Sequence, residues 1–95
     1  MSKARRVIAG LGKTGLSYAK FLTTQNLEFE VLEDNLTYEQ MSQLNKIKKG
    51  VKVSSFSDHT FLDVSEIYLS PGVPKFKKTI DQAVKNGAQI ISAIK

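Results

Sequence analysis

The chain has 95 residues, of which 41% are hydrophobic and 24% charged, and its formal net charge is +5. A chain of this length buries roughly 65% of the surface that its unfolded form exposes, which is enough for one domain spanning residues 1–95. It has no cysteine and a single histidine, His59, which excludes disulfides, thiolate metal sites, cysteine nucleophiles and histidine-cluster metal sites. No apolar run approaches the ~20 residues that cross a bilayer, and the N-terminus does not resemble a signal peptide, so we expect a cytoplasmic protein with no membrane partner.

The first predicted element is a buried strand that ends in a glycine-rich loop. The apolar run Val-Ile-Ala stops at Gly10, and Gly12 and Gly15 complete the spacing G-x-G-x-x-G. In such a loop the first glycine makes the tight turn, the second lets backbone approach a phosphate, and the third allows close packing of helix on strand. The N-terminal amides of the following helix point at the anion, and Lys13 and Thr14 add a cation and a hydroxyl donor. A tight turn without a ligand is the alternative interpretation.

A helix and a second strand follow the loop. Apolar residues at helical spacing predict the helix over residues 14–25. The segment 26–35 carries the strand and ends in Glu33, Asp34 and Asn35. A dinucleotide site needs an acid about 20 residues beyond the glycines to bind ribose hydroxyls. Together with the glycine loop, these acids favour a nicotinamide or flavin nucleotide, whereas a solvated acidic turn is the alternative.

The second predicted helix has clear signals at both ends. Thr37 is a good N-cap, and Gln40 three residues later completes a capping box. Gly50 is expected at the C′ position, where a left-handed residue ends the helix. A short strand over residues 51–56 and a turn over 57–64 then follow.

The last predicted elements are a strand over residues 65–70, a helix over 75–86 with Gly87 as its cap, and a strand over 88–92. Strands that alternate with helices through short connections predict a parallel sheet with right-handed crossovers. We therefore expect an α/β fold, a Rossmann-like three-layer domain with a five-stranded parallel sheet flanked by helices.

A Ser-Pro-Gly turn follows the fourth predicted strand. Ser70, Pro71 and Gly72 lie across the topological switch point from the glycine loop, in the crevice where doubly wound sheets bind ligands. Pro71 fixes φ and lacks an N–H donor, while Gly72 permits a positive φ. We expect the Ser70 hydroxyl and the Gly72 amide to face the same crevice as Thr14. An ordinary strand-to-helix turn is the alternative.

Taken together, "GLGKTGLS", the acid that ends the second strand, "SPGVP" and "NGAQIIS" resemble the N-terminal, UDP-binding domain of the Mur ligases, most closely the D-glutamate-adding (MurD) type. The resemblance covers essentially the whole chain and implies that the loop holds UDP-N-acetylmuramoyl-L-alanine by its UDP moiety, and not NAD. Carried over by position, it implies that the diphosphate binds at Gly12, Lys13, Thr14 and Gly15. The uracil would then lie at Glu33, Asp34 and Asn35, and the opposite wall of the pocket would be formed by Ser70, Pro71 and Gly72. It leaves open whether Glu33 or Asp34 makes the nucleoside contact.

The resemblance also implies a role within an ATP-dependent ligase of peptidoglycan biosynthesis. In that family a central P-loop domain handles ATP and magnesium, and a C-terminal domain receives the incoming amino acid. No G-x-x-x-x-G-K-[ST] motif occurs in residues 1–95. We therefore expect these residues to bind the nucleotide sugar, to bind no cofactor or metal, to carry no catalytic residue and to be inactive without the remaining ligase domains.

Two other functions remain open from the sequence. One is a free-standing NAD(P)- or flavin-binding module, which would respond to NADH and not to UDP. The other is a binding module that uses the lysine-rich segments 46–52 and 75–78 for an acidic partner. Nucleic acid is not expected, because no aromatic and lysine interleaving and no helix-turn-helix pattern accompanies the charge.

Overall fold

The computed structural model describes residues 5–56, 64–73 and 78–92. Its elements in chain order are β1 (Arg5–Ala9), α1 (Lys13–Thr24), β2 (Glu30–Leu32), α2 (Tyr38–Ile47), β3 (Val53–Ser54), β4 (Val64–Leu69), α3 (Lys78–Lys85) and β5 (Gln89–Ile91). The strands form one five-stranded sheet in the order β3-β2-β1-β4-β5, and every pairing is parallel. The predicted α/β, Rossmann-like fold is confirmed.

The sheet separates two layers of helices. Alternate residues of β1 face opposite sides, as the pleat requires, so that Val7 and Ala9 join one buried cluster and Ile8 joins the other. The first cluster includes Ile80 of α3, and the second includes Tyr18 of α1 together with α2. The arrangement has three layers, with the sheet in the middle. No helix of the described residues is long and apolar enough to span a membrane.

Helix α1 begins and ends one residue earlier than predicted. It ends at Thr24, and Asn26 follows in the left-handed conformation with φ of +60°. The N–H of Leu27 donates to the carbonyl of Leu22 (2.9 Å), and the N–H of Asn26 donates to that of Thr23 (3.0 Å). This is the pair of bonds that defines a Schellman ending, made here by an asparagine, which tolerates the conformation better than most residues.

Helix α2 confirms the predicted capping box but not the predicted ending. The Thr37 hydroxyl oxygen accepts from the Gln40 N–H (3.1 Å), and the Gln40 side-chain oxygen accepts from the Thr37 N–H (3.0 Å). The C-cap is Lys48 in an extended conformation, with φ of −156°. Gly50 was expected at C′, which is wrong: the chain leaves the helix before it, and its φ of +79° serves the turn that leads to β3.

Helix α3 ends as predicted at a left-handed glycine. Gly87 has φ of +104°, its N–H donates to the carbonyl of Val84 (3.0 Å), and the N–H of Ala88 donates to that of Ala83 (3.0 Å). These two bonds again satisfy the last carbonyls of the helix. The predicted start of this helix at residues 75–77 lies outside the described residues. So does the predicted turn over 57–64, with His59, except for Val64, which is the first residue of β4.

Candidate functional site

The candidate site lies where the sheet order reverses, at the carboxyl ends of β1 and β4. Ala9 pairs with Leu69 across these strands, and the N–H of Ser70 donates to the carbonyl of Ala9 (3.1 Å). The glycine loop after β1 and the Ser-Pro-Gly turn after β4 therefore leave the sheet side by side. This is the topological switch point at which open α/β sheets bind ligands.

Gly10 makes the tight turn out of β1. Its φ of +91° lies in the region that side chains rarely adopt, and its N–H donates to the carbonyl of Leu32 at the end of β2 (2.8 Å). A Cβ at this position would lie 2.8 Å from a methyl carbon of Val73 and 3.2 Å from the Cβ of Ser70. The predicted role of the first glycine is confirmed.

The other two glycines of the loop differ in the space around them. A Cβ added to the buried Gly15 would overlap the carbonyl oxygen of Gly10 and lie 3.3 Å from the Ser70 hydroxyl. A Cβ added to the exposed Gly12 would meet no atom of the described residues within 4 Å. The third glycine is thus needed for close packing, as predicted, whereas the second keeps open a stretch of backbone that another molecule can approach.

The N-terminus of α1 is open to an anion. Its N-cap, Gly12, offers no side chain to the first amides, and no acidic residue lies in the first turn. By contrast, α2 is capped by Thr37 and has Glu39 in its first turn. The first amides of a helix carry a partial positive charge that an anion stabilises. Lys13 is exposed and Thr14 is half-buried at this end of α1.

Ser70 supports the glycine loop from the side of β4. The residue is 6% exposed, and its hydroxyl donates to the carbonyl of Gly10 (2.8 Å). Pro71 and Gly72 are exposed next to it. We predicted that this hydroxyl faces the crevice, and in the structure it donates to the carbonyl of Gly10.

We expect Ser70→Ala to lower the free energy of unfolding by about 1–3 kcal/mol, because the buried carbonyl of Gly10 would lose its donor. Urea denaturation measures this loss. Ser17→Ala is the matched control, since the Ser17 hydroxyl donates to the carbonyl of Lys13 at an exposed position (3.2 Å), and we expect a change of about 0.5 kcal/mol or less. Equal losses in the two variants would contradict a supporting role for Ser70.

The acids at the end of β2 bind backbone amides. One carboxylate oxygen of Glu33 accepts from the N–H of Leu11 in the glycine loop (2.8 Å), and the other accepts from the N–H of Asn35 (3.1 Å). An Asp34 carboxylate oxygen accepts from the N–H of Phe56 (2.9 Å). Asp34 and Asn35 are exposed, and Glu33 is half-buried. Sequence reasoning missed these bonds, since residue spacing gives no signal of a carboxylate that reaches a backbone amide on another loop.

A buried tyrosine ties α1 to the same end of the sheet. The Tyr18 hydroxyl donates to the carbonyl of Leu69, the last residue of β4 (3.2 Å), and its ring meets that of Tyr68 edge to face with centroids 5.4 Å apart. Burial raises the pKa of both tyrosines, and the hydrogen bond to Glu66 raises the pKa of Tyr68 further. Both hydroxyls therefore stay neutral at physiological pH, and α1 is held in a fixed position over the switch point.

Positive charge continues from the loop along α1. Lys13, Lys20 and Lys46 line a shallow groove of about 370 Å³ between α1 and α2, and all three side chains are exposed. Another lysine of the segment 46–52, Lys48, instead lies over the ring of Phe29, 5.5 Å from its centroid. Among the described residues no group of three or more acids, histidines or cysteines could hold a metal ion.

Comparison with known proteins identifies similar sequences over almost the whole chain. The family model of the Mur ligase MurD-like N-terminal domain matches residues 4–92. A UDP-N-acetylmuramoylalanine–D-glutamate ligase of Coxiella burnetii is 35% identical over an alignment of 95 positions, which covers 98% of this chain and 22% of the relative. The ligase of the same name from Bdellovibrio bacteriovorus is 35% identical over 90% of this chain and 19% of its own length. That from Marinobacter nauticus is 34% identical over 95% of this chain and 21% of its own length. The chain thus spans about a fifth of these relatives.

Proposed function

Since the chain belongs to the MurD-like N-terminal domain family of the Mur ligases, we propose that it binds the UDP moiety of UDP-N-acetylmuramoyl-L-alanine. It does so as part of a cytoplasmic, ATP-dependent ligase that adds D-glutamate in peptidoglycan biosynthesis. The names of its relatives support the reaction. The observation that carries the proposal is the unobstructed backbone at Gly12, immediately before the uncapped N-terminus of α1.

In this proposal the diphosphate lies against the loop from Gly12 to Gly15. The exposed backbone of Gly12 and the first amides of α1 donate to the phosphate oxygens, since a helix N-terminus favours negative charge. Lys13 adds a cation that is free to move to the phosphates, and Thr14 adds a hydroxyl donor. In the part of the chain that the structure describes, no atom lies within 4 Å of a Cβ built on Gly12, which leaves room for a phosphate to approach.

The nucleoside then lies over the turn of Glu33, Asp34 and Asn35, which the Leu11 bond joins to the phosphate loop. In this proposal the Ser-Pro-Gly turn forms the opposite wall, next to Gly10, whose carbonyl accepts from the Ser70 hydroxyl. Both segments are held by bonds within the protein, so we expect them to change little when the ligand binds. A preformed site loses less conformational freedom on binding.

The contribution of this domain to the reaction is to hold a part of the substrate that does not react. Binding energy from a remote group fixes the position of the reacting carboxylate and so lowers the barrier to its ligation. In this proposal ATP and magnesium are bound by the remaining ligase domains, which are the protein partners of this one. We therefore expect these 95 residues to bind UDP without turning over ATP.

Titration of the chain with UDP, NADH and ATP, followed by backbone amide chemical shifts, tests the proposal. We expect UDP to shift the amides of residues 10–15, 33–35, 70 and 72, which belong to the three segments of the proposed site, and we expect no comparable response to NADH or ATP. Shifts with NADH and none with UDP would indicate a dinucleotide module. Indifference to all three nucleotides would mean that the glycine loop serves the fold alone.

A further inference from the structure

We propose that Glu33 is a positioning residue, whose carboxylate fixes the shape of the phosphate loop instead of reading the nucleoside. The inference deepens the proposed function and rests on it for the identity of the ligand. It starts from the two bonds of the Glu33 carboxylate, to the N–H of Leu11 and to the N–H of Asn35. One side chain thereby joins the loop after β1 to the turn after β2.

The base of the Glu33 side chain is itself fixed. The N–H of Glu33 donates to the carbonyl of Ser54 (2.9 Å), which continues the pairing of β2 with β3. The carboxylate therefore extends from a held backbone position toward Leu11, whose side chain is fully buried. A bond between two anchored segments restrains the loop more than a bond to a mobile side chain would.

The position of Leu11 explains why this bond matters for a phosphate. The backbone of Gly10 is held at both ends, because its N–H donates to the carbonyl of Leu32 and its carbonyl accepts from the Ser70 hydroxyl. Leu11 is the next donor along the chain. Gly12 follows with open space around it. Two glycines so close together make the free backbone flexible, and the bond to Glu33 fixes the last residue before the stretch that the phosphate approaches.

Because of the same two bonds, we do not expect this carboxylate to contact the nucleoside. In a dinucleotide site the acid at the end of the second strand accepts hydrogen bonds from ribose hydroxyls. Both oxygens of Glu33 already accept from backbone amides at 2.8 and 3.1 Å, so the carboxylate is held toward the protein backbone and keeps only one lone pair on each oxygen for a ribose hydroxyl. A Glu33 substitution should therefore weaken every ligand that uses the loop, whether or not the ligand carries a nucleoside.

The test compares Glu33→Ala and Glu33→Gln with the wild-type chain and with Glu28→Gln, an exposed acid at the opposite end of β2. Dissociation constants for UDP and for inorganic pyrophosphate come from amide shift titrations. We expect both constants to rise by the same factor, about three- to tenfold, in Glu33→Ala, with a smaller equal rise in Glu33→Gln, because an amide oxygen can still accept one of the two bonds. Glu28→Gln should bind both ligands as the wild type does.

Hydrogen exchange of the Leu11 amide in the free protein tests the positioning role without any ligand. We expect exchange about tenfold faster in Glu33→Ala, because a hydrogen bond to a charged group is lost, while the amides of β1 and β4 remain protected and so show that the domain is folded. Unchanged exchange at Leu11 would overturn the inference. So would weaker UDP binding with unchanged pyrophosphate binding, which would assign Glu33 to the nucleoside. Failure of the wild type to bind UDP would overturn the proposed function instead, and the exchange result would still decide the role of Glu33.

Discussion

Gly12→Val is expected to lower the affinity for UDP by at least about 100-fold while the domain stays folded. The backbone of Gly12, with φ of −79° and ψ of −162°, is extended and accepts a valine. Of residues 5–56, 64–73 and 78–92, none places an atom within 4 Å of the added Cβ. It would instead occupy the space through which a phosphate reaches the loop. Losing charge-assisted hydrogen bonds, each worth about 1.5–3 kcal/mol, accounts for the size of the effect.

Calorimetric or amide shift titration with UDP measures this loss. Thr37→Val is the matched control, because Thr37 is the N-cap of α2 as Gly12 is the N-cap of α1. The control breaks a capping box and should cost about 1 kcal/mol of stability, yet UDP should bind to it as to the wild type. Normal binding by Gly12→Val would mean that no ligand approaches this backbone.

Gly15→Ala is expected to lower the free energy of unfolding by about 3 kcal/mol or more. The new Cβ would overlap the carbonyl oxygen of Gly10, and that oxygen is held in place by the Ser70 hydroxyl. Alanine gains about 1 kcal/mol over glycine in helix propensity, which is too little to offset a clash with fixed backbone. In a domain of this size the loss corresponds to a fall in Tm of at least about 12 °C.

Thermal and urea denaturation measure the effect of Gly15→Ala. Gly12→Ala is the control, since the same methyl group is added to the same loop where it meets nothing within 4 Å, and we expect a change within about 1 kcal/mol. If the two variants lose the same stability, the loop adjusts at Gly15 and the close approach of helix to strand is not required.

The fold and the position of the candidate site in it were predictable from the sequence because their signals are local. The capping box of α2 needs only Thr37 and Gln40, three residues apart, and both bonds are present. The different roles of Gly10 and Gly15 follow from the order of glycines between a strand and a helix. The juxtaposition of the glycine loop with Ser70 follows from the alternation of strands and helices, which makes β1 and β4 neighbours.

The hydrogen bonds inside the site were not predictable, because they depend on the reach of single side chains across the fold. Spacing placed Glu33 at the end of β2, but not its carboxylate on the N–H of Leu11, in a different loop. The ending of α2 was also missed, since a glycine at position 50 signals a turn without saying whether the helix reaches it. The extended backbone of Lys48 ends the helix first.

The two backbone bonds of Gly10, from its N–H to the end of β2 and from Ser70 to its carbonyl, join the glycine loop to both neighbours of β1. A segment joined to two central strands belongs to the same cooperative unfolding unit as the sheet. Gly12 and the exposed start of α1 can fluctuate alone, whereas Gly10 is released only when the sheet itself comes apart. Selection on ligand preference can therefore change residues 12–14 with little effect on the free energy of unfolding. A substitution at Gly10 lowers that free energy before it affects any ligand.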